Sequence, residues 1–330
     1  MDKPTYLRRA AILMAVSMSM SAFGGEFVRA SAAQKSPTTG HAATKRAANK
    51  PAALELVVLG SGGPRAFGRG ETSYVVLVDG TPRILVDAGS GAFVELGKLN
   101  LDLDKMDIVL LTHLHIDHSA DLPSVFNARA LGSDDPITFR VFGPDGAGLF
   151  PPTTKFLHLL FDPGGVYEYQ KTFGADETIQ GSDLPIALDS PEKEIVSDGD
   201  LRVSDIATHH GDCPSIGYRI NFKGQSITFA GDMNASALGN LERLAKGTDL
   251  LVLHAAVLDP PDTPKILFTL HTAPEGLGEA AHIAGAKHVL LSHIPPVVED
   301  HEAAVLRSIH NSYSGPVEFA HDGQRIPVTH

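Results

Sequence analysis

The chain has 330 residues, 43% hydrophobic and 20% charged, the make-up of a globular protein with one large core or two modest ones. Its formal charge of −12 argues against nonspecific nucleic-acid binding, which rests on clustered Lys and Arg. The single cysteine, Cys213, excludes an intrachain disulfide.

Residues 1–32 read as an export signal. Lys3, Arg8 and Arg9 form a charged start, and Ala10 to Phe23 is an apolar stretch too short to span a bilayer comfortably. Ala30-Ser31-Ala32 then offers an Ala-x-Ala cleavage site. The Arg8-Arg9 pair ahead of Ala-Ala-Ile-Leu points towards twin-arginine export. The expected location is periplasmic or secreted, with no stable membrane anchor. Removing residues 1–32 takes away four cations and two anions and leaves about −14 on the mature chain. Residues 33–52 are polar and Pro/Ala-rich, the composition of a flexible linker. Residues 53–330 are expected to form one domain.

Strands are expected at Leu54–Gly60, Ser73–Asp79 and Arg83–Gly89, with Gly80-Thr81-Pro82 as the turn between the last two. Ser61-Gly-Gly-Pro64 reads as a tight turn at a strand end. Asp107–Leu111 is an apolar run, read as a buried strand, that leads into Thr112-His113-Leu114-His115-Ile116-Asp117-His118. At a strand end His113 and His115 point the same way, because side chains alternate, and Asp117 and His118 lie in the loop beyond. Three imidazoles and a carboxylate within six residues suit Zn²⁺ or a similar borderline metal. Crowding so many potential cations together is unfavourable unless something binds them.

A helix is expected at Asp121–Leu131. Residues 144–200 are the least regular part, with one helical piece at about Thr153–Phe161, and such a stretch can form a cleft wall. Strands resume at Leu201–Thr208, ending in His209-His210, then at Ser215–Asn221 and Ser226–Gly231, with Lys223-Gly224-Gln225 as hairpin turn. The last of these ends at Asp232. Asp249–His254 is another buried strand, and a helix at about Pro274–Gly285 leads into His288–His293. Four strands therefore end in a metal-type residue, which gathers ligands at one edge.

His113-x-His115-x-Asp117-His118 resembles the signature of the metallo-β-lactamase superfamily. The resemblance implies an α/β (α+β) fold, a four-layer αββα sandwich with its metals along one edge. The run His210-Gly-Asp-Cys-Pro-Ser-Ile-Gly-Tyr-Arg219 resembles the His-Gly-x-x-Pro-x-x-x-Tyr-Arg segment of the ribonuclease Z-like branch. By that likeness one metal takes His113, His115 and His210, the other takes Asp117, His118 and His293, and Asp232 bridges them. His209 is the alternative to His210. Asp87-Ala-Gly89 resembles an element lying beneath the metals. The implied cofactors are two divalent ions, Zn or else Mn or Fe, and the implied reaction is hydrolysis by a metal-bridging hydroxide, with Asp117 orienting the nucleophile or moving its proton.

His271-Thr272-Ala273 resembles the His-Ser-Thr loop that supplies a catalytic imidazole in that branch, so His271 is the expected acid or charge stabiliser. His254-Ala255-Ala256 stands where the branch carries His-Glu-Ala; with Ala255 in place of the glutamate, the acid–base pair used on transfer-RNA ends is broken, and His254 is expected to be catalytically silent. The expected activity is a phosphodiesterase. The alternatives are hydrolysis of a sulfate ester, lactone or β-lactam, or metal binding without turnover. The expected partner is a small-molecule ester, with no nucleic acid, and a homodimer is the possible assembly.

Overall fold

The computed structural model describes residues 52–132, 135–172 and 177–329. The expected export signal, and the expected linker as far as Pro51, lie outside them. The first sheet contains β1 (Leu54–Gly60), β2 (Ser73–Val78), β3 (Thr81–Ala88), β4 (Ile108–Leu110), β5 (Ile137–Pro144) and β6 (Glu177–Leu184). The second contains β7 (Lys193–Asp198), β8 (Leu201–His210), β9 (Cys213–Phe222), β10 (Gln225–Phe229), β11 (Leu250–His254), β12 (His288–Ser292) and β13 (Val317–Phe319). The last strand, β14 (Arg325–Pro327), returns to the first sheet and pairs with β1.

Strand order is β14-β1-β2-β3-β4-β5-β6 in one sheet and β13-β12-β11-β10-β9-β8-β7 in the other. Both sheets change from antiparallel hairpins to parallel pairing part-way across, at β3–β4 and at β10–β11. Parallel neighbours need crossover connections, and helices supply them.

The layering follows from alternation along the strands. Leu56 and Val58 face the inter-sheet core with Tyr218 and Phe229. Their neighbours Val57 and Leu59 face outwards onto α1 (Ala92–Lys98) and α3 (Leu122–Gly132), through Leu96, Val125 and Phe126. On the other side Leu251, Leu253 and Leu291 meet α6 (Pro274–Ala284) and α8 (Glu302–His310). Three stacked apolar clusters make four layers, so both sheets are buried on both faces and read as near-continuous apolar runs. In α6 the buried Leu277, Ala280, Ala281 and Ala284 repeat at helical spacing, Pro274 opens the helix, and Gly285 closes it at φ 63°.

Several local expectations are corrected. The turn after β2 is Asp79-Gly80, both at positive φ, so Thr81 and Pro82 already belong to β3. The later hairpin turn is Lys223-Gly224, again both at positive φ, and Gln225 opens β10. Strand β8 runs on to His210. The stretch 144–200 holds β6 and β7.

Candidate metal centre

The sheets bring their chemistry to one edge, at the carboxyl ends of β4, β8, β10 and β12, which is where open α/β sheets place ligands. Strand β4 stops at Leu110, earlier than expected, and Ile116–Ser119 is a single helical turn, α2, with His115 at its start. Asp117 and His118 therefore sit in a helix rather than a loop. His113 and His115 still converge, with Nε2 of one 3.1 Å from Nδ1 of the other.

Asp87 fixes this segment from below. It is fully buried at φ 55°. One carboxylate oxygen accepts the Thr112 N–H at 2.7 Å; the other accepts the Thr112 hydroxyl and faces His118 Nδ1, both at 2.8 Å. With Nδ1 held by Asp87, His118 turns Nε2 into the site. His210 is set likewise, its Nδ1 2.8 Å from the Leu270 carbonyl. A ligand imidazole fixed through its other nitrogen is the usual device for setting tautomer and orientation.

Asp232 follows Gly231, whose backbone at φ 64° packs against Thr112 so closely that a Cβ would lie 2.9 Å from the Thr112 Cβ. Its Oδ2 is the centre of the cluster: 3.3 Å from His293 Nε2, 3.6 Å from His210 Nε2, 3.8 Å from His118 Nε2 and 3.9 Å from His113 Nε2. Asp117 Oδ2 lies 3.2 Å from His293 Nε2 and 3.5 Å from His118 Nε2. His293 itself is at φ 58°, and its ring lies over Gly63, where a Cβ would be 2.6 Å from Cε1. Gly63 of Ser61-Gly-Gly-Pro64 thus serves a close approach to this histidine.

The structure groups His113, His115 and His210, and separately Asp117, His118 and His293, each set with its donor atoms within 4.8 Å of one another. His113, His118 and Asp232 form a third such group, and His210, Asp232 and His271 a fourth. His209 is in none of them; its Nδ1 accepts from the Asn234 side chain. His271 is held by a pinned loop, with Thr272 Oγ1 donating to the Met233 carbonyl and Asn234 Nδ2 to the Thr269 carbonyl.

These residues fit divalent ions. His118 Nε2, which faces the cluster, is buried without a hydrogen-bond partner, a costly state for a polar atom. Burial and the neighbouring His118 push His113 well below the ordinary imidazole range, and burial with His210 lowers His115, so both are neutral donors. Against burial, which raises both carboxylates, His118 and His293 hold Asp117 well below the usual range, and His293 and His271 do the same for Asp232. Against burial, Asp87 raises His118 and Asp232 raises His293, so a borderline dication, which needs neutral imidazoles beside ionised carboxylates, would take the place of protons on these two.

Two partners lay outside the sequence reading. His254 Nδ1 lies 2.6 Å from Asp232 Oδ1, and its Nε2 is 3.3 Å from the buried Tyr74 hydroxyl. His254 therefore holds the carboxylate whose other oxygen faces the imidazoles, a contact that the reading of His254 as a silent residue did not foresee. His254→Ala is expected to weaken metal binding by about 10–100-fold, measured by competition with a chelator. An unchanged affinity would remove this role. Phe150, from the supposedly irregular stretch, packs edge-on against His115 with ring centroids 5.4 Å apart.

Residues 82–294 match the β-lactamase superfamily domain. The chain belongs to the β-lactamase superfamily. Among superfamily relatives it is 26% identical over 286 residues to ribonuclease Z of Mycobacterium sp. (strain KMS), which covers 83% of this chain and 96% of the relative. It is 27% identical over 281 residues to uncharacterized protein ML1173 of Mycobacterium leprae, covering 83% and 89%. Human tRNase Z, short form, superposes with a TM-score of 0.64 at 20% identity over 84% of this chain and all of that one. The metallo-β-lactamase fold protein YhfI of Bacillus subtilis gives 0.62 at 22% identity over 82% and 98%. The two structures share the four-layer fold expected from the sequence. The curated relatives agree with the metal-dependent hydrolase expected from the sequence. The expectation that nucleic acid plays no part draws no support from relatives named as ribonucleases.

Proposed function

We propose that the protein is a dinuclear phosphodiesterase. The observation that carries this reading is the Asp232 carboxylate, one oxygen held by His254 and the other facing imidazoles from both ligand groups. His113, His115 and His210 would hold one ion, Asp117, His118 and His293 the other, with Asp232 between them; zinc suits this donor set. Bound there, the ions would supply positive charge for the ester oxygens and acidify water. The chain's residues do the rest. Asp117 Oδ2 lies beside both His118 and His293, a place from which a carboxylate orients attacking water and takes its proton. Burial pushes His271 down to about 4, so near neutral pH it enters as a neutral imidazole with one N–H to offer the charge developing on the ester. Tyr74, Asp87 and Thr112 keep the donors in place without touching substrate.

We read residues 1–32 as a cleaved export signal, which places the mature N-terminus near Ala33 outside the cytoplasm. N-terminal sequencing from the native host checks this.

The deciding experiment is a screen of metal-reconstituted protein against bis-p-nitrophenyl phosphate, p-nitrophenyl sulfate, a lactone, nitrocefin and a short RNA. Preference for the phosphate diester by kcat/KM supports the reading; preference for the sulfate, lactone or β-lactam replaces it. An RNA substrate is the second reading, and the ribonuclease Z relatives favour it.

A further inference from the structure

Beside the metal cluster lies a cleft of about 540 Å³, within the size range of small-molecule sites. His271 and His293 line it, so it borders the proposed metal centre. Its walls come from three separate loops. Phe67 projects from the loop after β1, Leu267 and Leu270 from the turn ahead of His271, and Val297 from the short helix after His293. Phe67, Leu267 and Val297 are 49%, 36% and 45% exposed. Three apolar side chains from distant parts of the chain thus lean on one opening and leave water-facing surface uncovered, a pattern that marks binding sites.

Charge narrows the occupant. No carboxylate lines the cleft among the described residues, although the whole chain carries −12. Of its two arginines, Arg69 is committed to Glu299 at 2.8 Å and to the Ser61 hydroxyl. A run of phosphates would find Arg65 as the one further cationic side chain along these walls, whereas an alkyl or aryl group would find them mostly apolar.

We infer that this cleft is the subsite for an apolar arm of the ester substrate. The substrate class is then an amphiphilic ester, with its charged group at the metal centre and an alkyl or aryl arm against Phe67, Leu267 and Val297. The inference rests on the proposed phosphodiester chemistry only for the identity of the head group.

The test measures binding and needs no turnover. Calorimetry on the metal-loaded full chain compares methyl-, butyl-, hexyl- and octylphosphonate, with the matching alkyl sulfonates in parallel. Affinity is expected to rise about two- to threefold per added methylene, below the limit for complete burial because the cleft is open. Leu267→Glu and Val297→Glu are each expected to flatten this slope. Ile283→Glu, 55% exposed and absent from the cleft lining, keeps it and controls for indiscriminate adhesion. A slope seen with sulfonates but not phosphonates keeps the apolar subsite while removing the phosphodiester reading. Equal affinity for methyl and octyl compounds, no binding of either head group, or a slope that survives both cleft variants overturns the inference. A slope that emerges only on dilution assigns the cleft to a second copy of the chain, which also overturns it.

Discussion

With the proposed pair of ions bound, Asp232→Ala is expected to lower the metal content to one ion per chain or fewer, and to reduce hydrolysis by more than about 10²-fold. The reason is geometric. Oδ2 lies within 3.3–3.9 Å of four imidazole nitrogens drawn from both ligand groups, so its loss removes a donor from each side at once. Residues that merely orient ligands already cost about 10–100-fold when changed, so a shared ligand should exceed that. The deletion also leaves His254 Nδ1 without the carboxylate that it faces at 2.6 Å. Asp232→Asn keeps the side chain's shape and serves as the folding control. Elemental analysis showing an unchanged metal content in both variants would remove the shared-ligand assignment.

His271→Ala is expected to cut kcat on an alkyl phosphodiester by at least about 10²-fold, the scale of a positioned proton donor or charge stabiliser. The loss should be smaller for a p-nitrophenyl ester, whose leaving group needs less help. Metal content is the decisive second readout, because His271 Nδ1 lies 4.0 Å from Asp232 Oδ2 and falls in a group with His210 that satisfies the distances for a ligand. Unchanged metal with a leaving-group-dependent loss fits a residue that acts on substrate. Loss of metal would make His271 a ligand and leave the chemistry to Asp117.

The clustering of His113 to His118 was legible because metal coordination demands particular residue types at short spacing, and these six positions supply them. The sandwich was legible for a similar reason, since strands buried on both faces give apolar runs such as Leu54–Gly60 and Leu250–His254. The edge strands were not. In Glu177–Leu184 only Leu184 is buried, and in Lys193–Asp198 only Val196. Edges carry polar and charged residues that discourage pairing with other chains, so they look like loops. His254 escaped for a different reason. Its role depends on a contact with Asp232 across 22 positions, made when β10 and β11 pair in parallel, and no local pattern announces such a meeting.

The division of the ligands between the sheets bears on when the ions arrive. His113, His115, Asp117 and His118 follow a strand of the first sheet; His210, Asp232 and His293 belong to the second. Neither half carries a complete set, so a nascent chain has no site until almost all of it has been made and the two halves have docked. Uptake of the proposed ions would then follow docking of the two halves. At ion levels a hundredfold above the dissociation constant it would add about 2.7 kcal/mol to the assembled state. A metal acquired in this way would come from the compartment in which the chain folds.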